Sequence, residues 1–166
     1  MPARKASAPR AGRPHIPDYG ISTSSQGLLP WSWAEQRLKR SKQYWFTTTL
    51  PDGSPHVMPI WGVWVDQAFY FSTGAGTRKA RNLARDPRCV VCNEDSAQAV
   101  IVHGRAREVK SAARIAELGR PYARKYPPYK LDPQMGTVYE VKPAIVFGLF
   151  EKKFPTTATR WKFAKS

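Results

Sequence analysis

The stretch that decides the fold is "QYWFTTTLPDGSPHVMPIWGVWVDQAFYFS", residues 43–72. Two runs of aromatic and β-branched residues flank the turn sequence at 51–53, a pattern that is typical of an antiparallel hairpin. A second turn, at Asp66 and Gln67, leads into a third extended run. Three strands that follow one another through short turns predict an antiparallel meander.

The middle run of this stretch, residues 57–65, is apolar at nearly every position. Such a strand is expected to be covered on both faces, as in a barrel wall that packs against a helix or another subunit. Pro59 and Gly62 inside the run predict a bend where a ligand or another backbone comes close. With the runs further along the chain, the pattern predicts a mainly β, α+β fold: a closed or nearly closed barrel of about seven antiparallel strands with helices outside.

The length of 166 residues suits a single domain with one core. Residues 1–29 are rich in Pro, Ala, Ser, Gly and Arg, so we expect a flexible basic tail there and the folded domain at 30–166. No apolar run approaches the ~20 residues of a membrane span, and no apolar segment follows the first cations as in a signal peptide. We therefore expect a cytoplasmic protein without membrane association.

The two cysteines, Cys89 and Cys92, form a CxxC pair within an apolar, β-branched run. On a strand, positions three apart point to opposite faces, and the chain holds no second ligand pair for zinc. The pattern predicts structural cysteines and no metal site.

The net charge of +15 predicts a polyanionic partner or simply high solubility. Nucleic acid is an unlikely partner because the cations are scattered along the chain without an RNP-type strand, a zinc finger or a helix-turn-helix. A small polyanionic ligand is an equally good candidate.

The segment "FSTGAGTRKARNL", residues 71–83, combines two glycines with a basic, helix-like run. It lacks the third glycine of the dinucleotide fingerprint and the lysine spacing of a P-loop. Thr77 is the expected N-cap, which places Arg78 and Lys79 in the first helical turn. Cations there oppose the helix dipole, so a bound anion would explain them; two solvated surface cations are the alternative.

The segments "PHVMPIWGVW", "FYFSTGAGTRKARNL" and "DPRCVV", in this order, resemble the split β-barrel superfamily of pyridoxamine 5'-phosphate oxidase-like flavin proteins. The resemblance covers residues 31–163. The opening run from residue 44 and the terminal "ATRWKF" are most similar to the branch that uses the deazaflavin coenzyme F420. It implies a split barrel of about six to seven strands and a homodimer with cofactor sites at the subunit interface.

The resemblance also implies a set of contacts. The strand at 56–61 would run along the ring, Ser72 and Thr73 would contact the ribityl chain and phosphate, and Arg78 and Lys79 would bind the phosphate. Three further positions would face the cofactor from nearby or across the dimer interface: Asn82, Gln98 and the segment at 160–162. The cofactor-binding residues expected in this chain are His56, Val57, Met58, Pro59, Ile60, Trp61, Ser72, Thr73, Thr77, Arg78, Lys79, Asn82, Gln98, Arg160 and Trp161.

The sequence offers no catalytic triad, carboxylate pair or metal cluster, so no catalytic residue is assigned. His56 and His103 are expected to pack or to contact the ring rather than act as acid or base. A redox cofactor would then carry the chemistry, as hydride transfer between F420 and a conjugated organic substrate. Two alternatives stay open: an FMN-dependent oxidoreductase on the same barrel, and a non-enzymatic flavin- or polyanion-binding protein.

Two departures from the vitamin B6 oxidases argue, in turn, against vitamin B6 oxidation and against FMN as the cofactor. The C-terminal "LFEKKFPTTATRWKF" keeps an arginine but not the surrounding residues, and Trp61 stands where those oxidases place a basic residue on the flavin. F420 also carries a phosphate, a lactyl carboxylate and an oligoglutamate tail, which suit a strongly basic chain.

Overall fold

The computed structural model describes residues 8–164, which contain nine strands and four α-helices. The strands are β1 (Arg10–Gly12), β2 (Tyr44–Thr49), β3 (Pro55–Ile60), β4 (Val63–Val65), β5 (Ala68–Thr73), β6 (Arg88–Asn93), β7 (Gln98–Glu108), β8 (Thr137–Phe150) and β9 (Thr159–Lys162). The helices are α1 (Trp31–Arg40), α2 (Arg78–Arg85), α3 (Ala112–Lys125) and α4 (Phe154–Thr157), and a 3-10 turn spans Glu151–Lys153.

The predicted meander is confirmed. Strands β2 and β3 pair antiparallel from Tyr44 opposite Ile60 to Thr49 opposite Pro55. At the second turn, Asp66 and Gln67 both have positive φ, at 49° and 60°. This left-handed pair matches the right-handed twist of the strands that it joins, β4 and β5.

The strands form one antiparallel sheet in the order β1-β9-β8-β7-β6-β2-β3, and the β4-β5 pair joins it through β8. Only Trp61 and Gly62 separate β3 from β4, so the chain itself connects the β3 end of this path to the β4-β5 pair, which returns to β8. The sheet thus has the architecture of a split barrel, with the helices flanking it. This confirms the predicted fold class.

The described residues form nine strands rather than about seven: β1 and β9 are additional, the run at 57–65 is divided between β3 and β4, and β8 is a single strand of 14 residues. Its apolar pattern is interrupted by Pro143, which suggests two strands in the sequence. In the structure, Pro143 lies beside a register shift between His103 and Gly104 of β7. A bulge accommodates the missing N–H of a proline, so the strand continues through it.

The core of the barrel is aromatic. The rings of Phe46 and Phe71 have centroids 4.7 Å apart, as do those of Tyr44 and Phe69. A smaller apolar cluster, which includes Leu118 of α3, lies between that helix and the β4-β5 pair. The helix α3 is thereby held against the bent part of the barrel wall.

The flexible tail predicted for residues 1–29 does not describe residues 10–29. Strand β1 pairs with β9, and the Arg13 guanidinium donates hydrogen bonds to main-chain carbonyls that include Ala158, at 3.0 Å. The Leu29 N–H donates to Thr159 Oγ1 at 2.8 Å. The segment is ordered because it pairs with the otherwise open edge of β9; residues 1–7 of the predicted tail lie outside the described residues.

Within residues 8–164, no helix has the length and the apolar character that crossing a bilayer requires.

Candidate functional site

The loop between β5 and α2 is built as the sequence predicts. Thr77 is the N-cap of α2, and its Oγ1 accepts a hydrogen bond from the Ala80 N–H at 3.3 Å. The Thr77 N–H donates to the Gly74 carbonyl at 3.0 Å, and Thr77 Oγ1 lies 3.1 Å from Thr73 Oγ1. These bonds fix the start of the helix against the end of β5.

The first turn of α2 is cationic without compensation. It contains no acidic residue, Arg78 is exposed and Lys79 is half-buried. Burial lowers the pKa of the Lys79 ammonium group. No ion pair forms at either side chain within residues 8–164, and the first N–H groups of a helix have no intrahelical acceptor. An anion at this point would satisfy both the cations and the helix dipole.

Ser72 and Thr73 are the last two residues of β5, opposite Val138 and Thr137 of β8. Gly136 passes close behind them: a Cβ atom there would lie 2.9 Å from both Ser72 Oγ and the Thr73 carbonyl oxygen. The structure therefore places Ser72, Thr73, Thr77, Arg78 and Lys79 together, as expected. We call these five residues the cradle.

Strand β3, which carries His56 to Ile60, is the last strand of the hydrogen-bonded order. It pairs with β2 along one edge, and no other described strand pairs with its second edge. Main-chain N–H and C=O groups along that edge are open to a ligand. The side chains of Val57 and Met58 are 48% and 42% exposed, so the strand is not covered on both faces as its apolar sequence predicts.

A buried hydrogen bond connects α2 to β2, the neighbour of β3. Asn82 Nδ2 donates a hydrogen bond to Thr48 Oγ1 at 2.9 Å, and Thr48 stands opposite His56 in the β2-β3 register. Asn82 is only 2% exposed, so the structure makes it a residue that positions α2 on the barrel. The His56 Nδ1 atom is buried without a hydrogen-bond partner in the described part of the chain.

The end of α3 holds the corner between β3 and β4. The sequence did not predict this contact. The Trp61 ring, 37% exposed, stacks on Tyr126 with centroids 4.9 Å apart and planes 2° from parallel. The Gly62 N–H donates to the Tyr126 hydroxyl oxygen at 3.0 Å. Lys125 Nζ donates to the Gly62 carbonyl at 2.9 Å and to the Tyr44 hydroxyl at 2.5 Å.

Burial lowers the pKa of Lys125 to about 8 and raises the pKa of Tyr126 to about 12. Lys125 lies 63 residues from Gly62 along the chain, so no local sequence pattern indicates their contact. The aromatic run "YARKYPPY" at the end of α3 is the one signal in the sequence that could have pointed to it.

The predicted close approach at Gly62 is confirmed. A Cβ atom at this position would lie 2.2 Å from Phe69 Cζ and 2.6 Å from the Tyr70 carbonyl oxygen. The backbone that comes close is thus β5 of the same barrel.

Two expected site residues lie far from the cradle of the same chain. Ser72 stands opposite Val138, whereas Gln98 stands opposite Phe150 at the other end of β8. At about 3.3 Å per residue, the separation along the strand is about 40 Å. Arg160, opposite Phe147, is about 30 Å away by the same measure. Neither side chain is therefore placed at the cradle of its own chain, and the expected contact with the cofactor of another subunit stays a prediction.

Trp161 requires a correction. Its side chain is 1% exposed and packs against Trp31, with ring centroids 5.4 Å apart, and against Gly148. Its backbone lies between β1 and β8, paired with Ala11 and Val146. Trp161 therefore belongs to the core and has no surface for a cofactor.

The outer face of the sheet carries an apolar row across five strands. Register places Trp45 opposite both Pro59 and Cys92, followed by Ile101 and Phe147. Trp45 is 51% exposed. We call this set the apolar row. Cys92 faces it, whereas Cys89 faces the core, which confirms that the two cysteines point to opposite faces.

The family model of the pyridoxamine 5'-phosphate oxidases matches residues 33–150, most of the chain. The chain belongs to this family. This is an oxidoreductase-like family whose members bind flavins or related cofactors. A comparison with curated protein sequences gives no match.

Solved structures share the fold at low sequence identity. A conserved hypothetical protein from Mycobacterium tuberculosis matches with a TM-score of 0.68 and 22% identity, over 80% of this chain and 92% of that one. An F420 reductase matches with a TM-score of 0.54 and 22% identity, over 68% and 94%. A heme binding protein from Mycobacterium smegmatis matches with a TM-score of 0.61 and 17% identity, over 74% and 55%.

Proposed function

We propose that the protein is a coenzyme F420-dependent reductase that transfers a hydride between the deazaflavin and a conjugated organic substrate. The observation that carries the proposal is the cradle: two cations without ion-pair partners at the start of α2, beside a barrel strand whose second edge is open. The likeness to an F420 reductase supports the same cofactor.

The residues present fit a phosphorylated, ring-bearing cofactor. Arg78, Lys79 and the free N–H groups of α2 would hold the phosphate, with Ser72 and Thr73 beside it. The open edge of β3 would contact the polar edge of the ring. When bound, the cofactor supplies the hydride chemistry; the chain binds it, orients it and excludes water.

The charge of the chain favours F420 over FMN. FMN has one phosphate, for which the cradle is sufficient, whereas F420 adds carboxylates beyond its phosphate. Arg81, on the exposed face of α2, extends the positive charge away from the cradle and forms no ion pair in the described part of the chain. Screening confines this attraction to distances of about 8 Å, so only cations near the cradle contribute.

A homodimer would complete the site. The apolar row exposes a contiguous apolar surface on the sheet, and such surfaces mark sites of association. Gln98 and Arg160 lie too far from their own cradle to reach its ligand, so a second subunit would supply them. We expect this dimer to act in the cytoplasm, in keeping with two unpaired cysteines.

The stacked rings of Trp61 and Tyr126 would form one wall for the substrate. Tyr129, 57% exposed, contacts Trp61 edge-on at a centroid distance of 5.1 Å and an angle of 61°, so the three rings form one partly exposed aromatic surface. A flat, conjugated molecule would stack there. We assign no side chain as proton donor.

The experiment that tests the activity mixes the protein with reduced F420 and follows its oxidation by absorbance, with a quinone, a tetrapyrrole or an enone as acceptor. Turnover with one acceptor class that disappears in the Arg78→Ala, Lys79→Ala variant is the expected result. Turnover with reduced FMN alone would establish the FMN-dependent alternative. Tight binding of either cofactor without turnover of any acceptor would indicate a non-enzymatic flavin-binding protein.

A further inference from the structure

A second cluster of cations lies on the outer face of the sheet, away from the cradle. Arg88 of β6 stands opposite Arg105 of β7, and Arg105 stands opposite Lys142 of β8. Side chains at paired positions point to the same face, with Cβ atoms about 4.5–5.5 Å apart. Like charges in such pairs are destabilising, so this arrangement costs stability in the free protein. We call these three residues the basic row.

Carboxylates compensate only part of this charge. Asp86 pairs with Arg88, with Nη2 and Oδ2 2.7 Å apart, and Glu140 pairs with the neighbouring Arg107. Arg105 and Lys142 have no carboxylate partner within residues 8–164. The centre of the basic row is therefore a pair of cations without an ion pair in the described part of the chain, although Asp86, whose main partner is Arg88, lies close enough to Arg105 for this cation to help lower the pKa of its carboxyl.

The basic row borders two cavities of about 570 and 530 Å³. Arg105 and Ala144 line both, so the cavities adjoin. The larger one also presents the hydroxyl groups of Thr47 and Thr49 and the imidazole of His103. In the described part of the chain, neither cavity is lined by Asp or Glu. Volumes of this size hold small organic ligands, and the lining supplies hydrogen-bond donors.

We propose that the basic row is a second anion site, which binds a small organic molecule carrying two or more phosphate or carboxylate groups. Such groups would bridge Arg105 and Lys142 and remove their mutual repulsion. A second copy of this chain is a poor occupant because a self-complementary contact would bring further cations to the same place. The basic row lies beside the apolar row on the same face of the sheet. We propose the apolar row for dimer contact.

The basic row is separate from the cradle. Lys79 is the second residue of α2, and the six helical residues that follow it, about 9 Å at 1.5 Å per residue, separate it from the end of the helix before β6 begins at Arg88. A compact anion such as pyrophosphate cannot occupy both sites at once. The two sites can therefore be tested independently.

The test is titration calorimetry with pyrophosphate and with citrate at constant ionic strength. The starting protein is the Arg78→Ala, Lys79→Ala variant, in which the cradle lacks both cations. We expect binding that weakens at least tenfold when Arg105→Ala and Lys142→Ala are added. Arg120→Ala, which removes an exposed cation from α3, is the matched control and should leave the affinity unchanged.

Thermal unfolding provides a second readout if affinities are low. Pyrophosphate should raise the unfolding midpoint of the starting variant but not that of the variant lacking Arg105 and Lys142. Without anion, loss of the two cations should raise the midpoint at low salt, because the repulsion is gone. Equal anion affinity, or an equal shift of the midpoint, in both proteins would overturn the proposal.

The anion could be the carboxylate tail of the cofactor or a separate molecule. Measuring the affinities for F420 and FMN in a protein with an intact cradle distinguishes these two sources. If Arg105→Ala with Lys142→Ala weakens F420 binding but not FMN binding, the row holds the carboxylate tail of the cofactor. If neither affinity changes while pyrophosphate binding is lost, the row binds a separate molecule. Failure of both cofactors to bind would contradict the proposed function and leave the result for the row intact.

Discussion

The Lys125 ammonium group donates a hydrogen bond to the main-chain carbonyl of Gly62, across a distance of 2.9 Å. This bond joins the end of α3 to the corner where β3 becomes β4. Trp61, on the same corner, stacks on Tyr126, the residue that follows Lys125. The last turn of α3 thus determines how the corner presents Trp61 at the barrel surface.

The pH dependence of stability should reveal Lys125. Its pKa is about 8 in the folded protein because of burial, below the usual value of 10.5. Between these values the unfolded chain binds more protons than the folded one, so stability rises with pH. We predict that the unfolding midpoint rises from pH 8 to 10 relative to Lys125→Met. The comparison stops at pH 10 because burial raises the pKa of Tyr44 and Tyr126, so that their ionisation in the unfolded chain destabilises both proteins at higher pH.

Thermal scans of both proteins across pH 7 to 10 check this prediction. The difference in midpoint between the native protein and Lys125→Met should be constant below the pKa and should then change in favour of the native protein. Parallel curves over the whole range would mean that the Lys125 pKa is not lowered.

The corner should not tolerate a side chain at Gly62. In Gly62→Ala the new methyl group would meet Phe69 and the Tyr70 carbonyl, and overpacking of this kind costs about 1–3 kcal/mol or more. Gly119→Ala, in α3, is the matched control: its Cβ meets no atom within 4 Å, and alanine favours a helix by about 0.5–1 kcal/mol. Urea unfolding should show loss of stability in the first variant and a gain in the second; equal stabilities would contradict the packing.

The cap of α2 should contribute measurable stability. Thr77→Ala removes the acceptor of the Ala80 N–H, a loss that costs about 1 kcal/mol, or about 2–4 °C in the unfolding midpoint. Thr77→Ser keeps the acceptor and should restore most of the midpoint. Identical midpoints for the two variants would show that the cap bond contributes nothing.

The apolar row should mediate association. In Trp45→Arg, a cation replaces the exposed aromatic ring at the centre of the row, and light scattering should then give the mass of a monomer. Tyr19→Arg, at a side chain that is 65% exposed away from the sheet register, should leave a dimer. A monomeric native protein, or a dimeric Trp45→Arg, would require a different interface.

Local chemistry made much of the fold and the cradle predictable. Turn residues at Asp66 and Gln67 and the cap at Thr77 act within a few residues of chain, and their sequence signals are correspondingly clear. The position of the two cations after Thr77, in the first turn of α2, was predictable for the same reason. The meander, the helix α2 and the Thr77, Arg78 and Lys79 part of the cradle follow from such signals, whereas Ser72 and Thr73 were expected only from the family resemblance.

Features that depend on distant pairing were not predictable. Strand β8 continues through Pro143 because a bulge in the pairing with β7 accommodates it, and β1 is ordered because β9 offers an edge. The helix α3 also continues past a proline, Pro121, which lies inside it. The basic row exists only through register, since Arg88, Arg105 and Lys142 are far apart in the chain.

We propose that the cradle holds the phosphate of F420. Fluorescence titration of the protein with F420 and with FMN tests this binding. We predict micromolar or tighter binding of F420, weaker binding of FMN, and at least a tenfold loss for either cofactor in Arg78→Ala with Lys79→Ala, because each charge-assisted hydrogen bond contributes about 1.5–3 kcal/mol. Arg81→Ala, on the same helix, should have a smaller effect. Micromolar binding of FMN alone would contradict F420 as the cofactor. An unchanged affinity in the Arg78→Ala, Lys79→Ala variant would contradict the binding of the phosphate at the cradle.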